Sequence, residues 1–155
     1  MIKLLEAIEA QTAEMNNKMN STSLKIVMSS DTRFLQMIEF TSATILQMLK
    51  ADDDWKFKIT MAIREAVINA IIHGNKNNIK KKVSVSYNFD SSKLEVTVSD
   101  QGNGFDYAKL PDPTNNENLL KPFGRGIFFI RSFMDKVLFT IQPGKGLTIT
   151  MIKYF

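Results

Sequence analysis

The stretch KVSVSYNFDSSKLEVTVSD, residues 82–100, constrains the fold more than any other part of the chain. Val83, Val85, Tyr87 and Phe89 alternate with polar residues, and Leu94, Val96 and Val98 do the same after the break. Successive side chains of a strand point to opposite faces, so this period of two predicts two half-buried strands, with DSS as the turn of an antiparallel hairpin. A second pair closes the chain: VLFTIQ, a PGKG turn, then LTITMIKYF with Leu147, Ile149 and Met151 on one side. Each hairpin has one apolar face to cover, and the segments between them read as helices. The predicted fold is therefore a two-layer α/β (α+β) sandwich, a mixed, mostly antiparallel sheet with helices on one face. The parallel βαβ repeats of a doubly wound dinucleotide fold are missing.

The remaining elements follow from spacing and end signals. LKIVMSS (24–30) reads as a short strand, and Ser30 or Asp31 can cap a helix through RFLQMIEFTSATILQMLK. Phe34, Met37, Ile38, Ile45, Met48 and Leu49 are expected to form its buried stripe. The acidic run 52–54 suits the start of a helix from about 54 to 73, with Ile59, Ala62, Ile63, Ala66, Val67 and Ala70 toward the core and Gly74 as C-cap. GRGIFFIRSFMDKV predicts another helix, with Ile127, Ile130 and Met134 on one face. Between these lies a loop, 106–123, with three prolines and no periodicity, and loops of that length usually carry function or are disordered. Residues 1–23 read as an N-terminal extension, either a short amphipathic helix through Leu4, Leu5, Ile8 and Met15 or a partly ordered segment, and 24–155 as the single domain.

Composition narrows the chemistry. The chain has no cysteine and one histidine, which excludes disulfides, thiolate catalysis and cysteine or histidine-rich metal clusters. Any metal is then a hard cation held by oxygen. No apolar run reaches the roughly 20 residues of a membrane span, and the N-terminus lacks a basic region followed by an apolar core, so a cytoplasmic protein is expected. A net charge of +4 raises the question of nucleic acid, but the densest basic run, NKNNIKKK, has no interleaved aromatics and reads as a solvated loop.

Three segments carry possible chemistry. In REAVINAIIHGN, Glu65, Asn69 and His73 recur at steps of four and form one polar stripe on an otherwise apolar helix, equally a solvated face when taken alone. In DQGNG, Asp100 ends a strand, and Gly102 and Gly104 let a ligand lie against the main chain, although Asp and Gly also make ordinary turns. GRG opens a helix, where free N–H groups and the positive dipole end make an anion site.

Together and in this order, EAVINAIIHGN, DQGNGFD and GRGIFFIRSFMD resemble the ATP-binding domain shared by gyrase, MutL and histidine kinases, the GHKL superfamily. The closer resemblance is to the anti-sigma-factor serine kinases of bacterial sporulation and general-stress switches, and it covers residues 24–155. It implies a Bergerat-type ATP-binding fold, with ATP and Mg²⁺ as ligands. By position, Asn69 matches the Mg²⁺ ligand and Glu65 the general base that takes a proton from serine or water. Asp100 matches the residue that binds the adenine amino group, with Gly102 and Gly104 beside the base. Gly124, Arg125 and Gly126, with Ile127 completing the turn, match the end of the lid that contacts phosphates. His73 fits the pattern and is counted with the nucleotide site, with packing and hydrogen bonding at the helix end as its expected role. Arg64 is expected outside the pocket or paired with a partner, and Arg131 reads equally as a surface charge.

The resemblance implies an ATP-dependent protein-serine kinase and anti-sigma factor, a homodimer that phosphorylates a STAS-type anti-anti-sigma partner and sequesters a sigma factor. It implies no direct binding to nucleic acid or membrane. The alternative is a nucleotide-gated binding module that holds a regulatory partner without phosphorylating it. A carboxylate at Glu65 favours the kinase, because adenine and Mg²⁺ could be bound without it.

Overall fold

The computed structural model describes residues 21–103, 125–142 and 146–155. The N-terminal extension through residue 20, the loop 106–123, Gly104 and Gly124 lie outside the described residues. Five strands, β1 (Thr22–Ser29), β2 (Lys82–Phe89), β3 (Lys93–Ser99), β4 (Lys136–Gln142) and β5 (Gly146–Tyr154), form one sheet in the order β1-β2-β3-β5-β4. Every pairing among them is antiparallel, so the parallel component of the expected mixed sheet is not found among the described residues. The register sets Val85 beside Val98 and Tyr87 beside Val96, and continues Val98 to Ile149 and Val96 to Met151. This aligns the apolar alternations of three strands on one face. The opposite face carries Ser84, Ser86, Thr97, Ser99, Thr148 and Thr150, in line with the period of two.

Three α-helices cover the apolar face: α1 (Leu35–Met48), α2 (Asp53–Asn69) and α3 (Arg125–Phe133), with α2 packed between the other two. Asp31 accepts a hydrogen bond from the Arg33 N–H at 2.9 Å and starts a short 3-10 turn, Thr32–Phe34, that leads into α1. Asp52 caps α2 by accepting from the Trp55 N–H at 2.9 Å. The predicted core face of α2 is buried throughout, with Ile59, Ala62, Ile63, Ala66 and Val67 at 0% exposure. Tyr87 reaches from the sheet to α1, where its hydroxyl lies 2.9 Å from Ser42 Oγ, which in turn donates to the Ile38 carbonyl. Burial pushes the Tyr87 phenol up to about 12, against the effect of the Ser42 hydrogen bond.

Two expectations need correction. On α1, Ile38 and Ile45 are buried, but Phe34, Met37 and Met48 are exposed, and Ser42 and Leu46 complete the inward face instead. At 100° per residue Met37 and Met48 stand roughly 100° from the line of Ile38, Ser42 and Ile45, on the flank of α1, so apolar character alone misassigned them. Gly74 is not a left-handed C-cap: α2 runs into a π turn, Ala70–Gly74, and positive φ occurs only afterwards, at Lys76 and Asn77.

Candidate functional site

Polar side chains gather where the C-terminal half of α2 meets the start of α3 and the end of β3. Glu65 and Asn69 lie one turn apart on α2 and both face Gly126, the second residue of α3. A Cβ placed on Gly126 would stand 2.8 Å from Glu65 Oε2 and 3.5 Å from Asn69 Nδ2. The backbone of the first turn of α3 is therefore in direct contact with both side chains. That turn has N–H groups without an intrahelical partner and the positive end of the helix dipole. Ile127 is 8% exposed and belongs to the core, so its contribution to a site here is its backbone.

The Asn69 amide is the most informative atom group of the cluster. Its Nδ2 is buried with no hydrogen-bond partner among the described residues. A buried amide left unpaired costs about 1–3 kcal/mol, and natural structures retain such groups chiefly where a ligand completes them. A half-turn of the amide presents Oδ1 at the same place, which suits a hard cation as well as an anion's oxygen. Glu65 Oε1 receives the Arg64 guanidinium at 3.5 Å, and Arg64 is held on its other side by Glu39 of α1 at 2.7 Å. Arg64 thus borders the cluster, bridging α1 to Glu65 rather than standing apart from it.

Asp100 anchors the opposite end. It is 4% exposed, and its Oδ1 accepts from the Gly102 N–H at 2.7 Å and the Leu147 N–H at 3.2 Å. Both of these hydrogen bonds fall on Oδ1, and Oδ2 faces Gly74. A Cβ on Gly74 would collide with that carboxylate, and one on Gly102 would collide with the Gly74 carbonyl. The two glycines are thus required for space, which accounts for Gly74 better than a C-cap role. Gly146, with φ of +93°, presses on the Asp100 backbone carbonyl from β5. Sequence reasoning placed it only in a turn, because its contact with Asp100 depends on the β3–β5 pairing.

His73 is half-buried on the π turn, and burial lowers its pKa, with the charge of Lys76 adding to the effect. The π turn breaks the four-residue spacing after Asn69, so His73 no longer continues the stripe of Glu65 and Asn69 in regular α-helical register. Arg131 lies on the exposed side of α3 with its guanidinium 5.6 Å from the Phe139 ring centroid, a surface cation–π contact. Arg125 opens α3. Sequence reasoning missed Asn75, which is 1% exposed and fully engaged in hydrogen bonds; it read as one of several loop asparagines.

The residues present fit a nucleotide with its cation. An orphaned amide and a carboxylate sit at a helix N-terminus, suited to phosphate oxygens and a hard metal, while a buried carboxylate wrapped by glycines is suited to a flat donor-bearing base. Comparison with known proteins agrees. Residues 23–153 match the histidine kinase-like ATPase domain. A serine-protein kinase RsbW of Staphylococcus epidermidis is 30% identical over 138 residues, 84% of this chain and 86% of its own. The Staphylococcus aureus RsbW is 30% identical over 147 residues, 90% of each chain. Among solved structures, the RsbU and RsbW domains of Rv1364c from Mycobacterium tuberculosis superpose with a TM-score of 0.60 at 17% identity, covering 85% of this chain and 31% of that longer one. The fold, the arrangement of the pocket and the extent of these matches place the chain in the histidine kinase-like ATPase domain family, among the serine-protein kinases of the RsbW type.

Proposed function

We propose that the protein binds Mg-ATP between α2, α3 and the β3 end and transfers the γ-phosphoryl group to a serine of a STAS-type anti-anti-sigma partner. In this reading it also sequesters a sigma factor, acts as a homodimer in the cytoplasm, and uses residues 24–155 as the ATP-binding domain. The observation that carries it is the buried, unpartnered amide of Asn69 one helical turn from Glu65, both against the first turn of α3.

Each residue has a defined task. Asp100 accepts from the adenine amino group through its carboxylate, which two backbone N–H groups hold in place. Gly102 and Gly74 keep the base edge clear of side chains, and Gly104 is assigned to the same edge by its place in the DQGNG motif. Asn69 holds the metal through Oδ1. Mg²⁺ held there would supply positive charge against the phosphates. The N–H groups of Gly126 and Ile127, with Gly124 and Arg125 before them, receive the phosphates at the helix N-terminus. Glu65 takes the serine proton on Oε2, the oxygen turned toward α3, while Arg64 holds Oε1. His73 supports the end of this wall.

The test is to incubate the purified protein with Mg-ATP and each candidate STAS protein of the same genome, and to locate phosphoserine by mass spectrometry. A single modified serine on one partner is the expected result. Nucleotide binding without transfer to any candidate would instead favour a nucleotide-gated binding module.

A further inference from the structure

The geometry points to Asn75 as a positioning residue for the base-binding end of the pocket, an assignment that rests on the nucleotide-kinase reading above. Asn75 is 1% exposed, and its amide joins three separate segments. Nδ2 donates to Ser30 Oγ at 2.6 Å, just past β1, and to the Lys82 carbonyl at 2.9 Å, at the start of β2. Oδ1 accepts from the Gln101 N–H at 2.8 Å, one residue past Asp100. A backbone N–H can only donate and a carbonyl can only accept, so Gln101 and Lys82 fix which way the amide points. Its own N–H donates to the Ala70 carbonyl at 2.8 Å and closes the π turn.

These contacts bracket Asp100. Gly74, whose Cα leaves no room for a side chain beside the Asp100 carboxylate, is bonded covalently to Asn75, while Gln101 on the other side of Asp100 is held by the Asn75 side chain. A second tether runs from Gln101 Oε1, which accepts from the Lys82 N–H at 2.6 Å. The direction of the Asp100 carboxylate is therefore set by the segments 74–75, 101–102 and 146–147, and Asn75 is the side chain that locks the first to the second. Glu65, Asn69 and Gly126 make none of these contacts. Loss of the Asn75 amide should then disturb base recognition and leave the phosphate end intact.

The experiment measures Mg-ATP and Mg-GTP affinity by calorimetry, and phosphoserine formation on the STAS partner at saturating ATP, for the wild type, Asn75→Ala and Ser30→Ala. In Asn75→Ala, ATP affinity should fall about tenfold or more, while GTP affinity and turnover at saturating ATP stay within about twofold. Ser30→Ala removes one acceptor but keeps the Gln101 contact, so it should lower the melting temperature and retain the wild-type preference for ATP. An unchanged ATP preference in Asn75→Ala overturns the assignment. So does a parallel loss of ATP affinity, GTP affinity and turnover, which is the pattern of a purely structural residue. If Asn75→Ala lacks a cooperative melt, Asn75→Ser takes its place, and absence of a cooperative melt in both makes Asn75 a folding residue and refutes the proposal. Failure of the nucleotide reading itself is visible separately, as a wild type with no preference for ATP over GTP.

Discussion

At the residue scale, the two carboxylates of the pocket are distinguished by their surroundings. Asp100 is buried and committed through Oδ1 to two backbone N–H groups, the environment of a fixed acceptor. Glu65 is half-buried, borders the start of α3 through Oε2 and keeps a long contact with Arg64, the environment of a carboxylate that can meet a ligand at the helix end. Glu65→Ala is expected to bind Mg-ATP as the wild type does and to lose roughly 10²–10⁴-fold in phosphoryl transfer, the usual worth of a positioned base. Calorimetry beside a phosphoserine assay checks both halves, and equal transfer rates would remove Glu65 from that role. Asp100→Ala gives up a charge-assisted hydrogen bond of about 1.5–3 kcal/mol, so ATP affinity should fall roughly ten- to a hundredfold while GTP affinity holds. Unchanged preference in competition binding would contradict the adenine assignment. Glu65 and Asn69 were legible in the sequence because a step of four on one helix is a local pattern. Gly126 against Glu65, Gly146 against Asp100 and the Asn75 hub were not, because each contact joins segments whose proximity only the tertiary fold determines.

At the scale of elements, α2 performs two tasks along its length. Its first turn is built for stability, with Asp52 accepting from the Trp55 N–H and Asp53 and Asp54 complementing the dipole. Its last turns carry the site, where the regular helix gives way to a π turn, a distortion common at functional sites. Thirteen residues separate Asp52 from Glu65, about 20 Å at the rise of ~1.5 Å per residue. Asp52→Ala should therefore cost about 1 kcal/mol and lower the melting temperature by roughly 2–4 °C, with turnover unchanged. Thermal melting read beside activity checks this, and a drop in turnover at a temperature well below the melt would argue against such separation. The strands were the most legible elements, since alternation over 83–89 and 94–98 matches the buried positions one for one. The face of α1 was less legible because apolar residues also occupy its flank, where Met37 and Met48 are exposed, while the polar Ser42 faces inward.

At the scale of the molecule, the response to acid should fall into two windows set by different groups. Burial, then the Lys76 charge, lowers the His73 pKa from its ordinary 6.5. Above pH 6.5 the ring is neutral both folded and unfolded and contributes nothing to the pH dependence. Below it, the unfolded chain takes up a proton that the folded chain resists, so stability falls until the pH reaches the lowered folded pKa, and then levels. Asp90 and Asp135 act in the same sense, at lower pH. Burial would raise each, but hydrogen bonds from Ser92 and Lys93 to Asp90, and from Tyr154 and Lys153 to Asp135, hold both below the ordinary 3.8. Their stabilisation is present above pH 3.8 and lost as pH falls through those lowered values. Trp55, the one tryptophan of the chain, reports the whole-molecule transition: Lys153 of β5 lies 3.6 Å from its ring centroid, at the end of α2 remote from His73. Melting followed by Trp55 fluorescence should coincide with melting followed by circular dichroism if the domain unfolds as one unit. The midpoint should begin to drop below about pH 6.5 and drop again below about pH 4. His73→Gln should abolish the first decline and keep the second; a first decline that survives the substitution would assign it to a group other than His73.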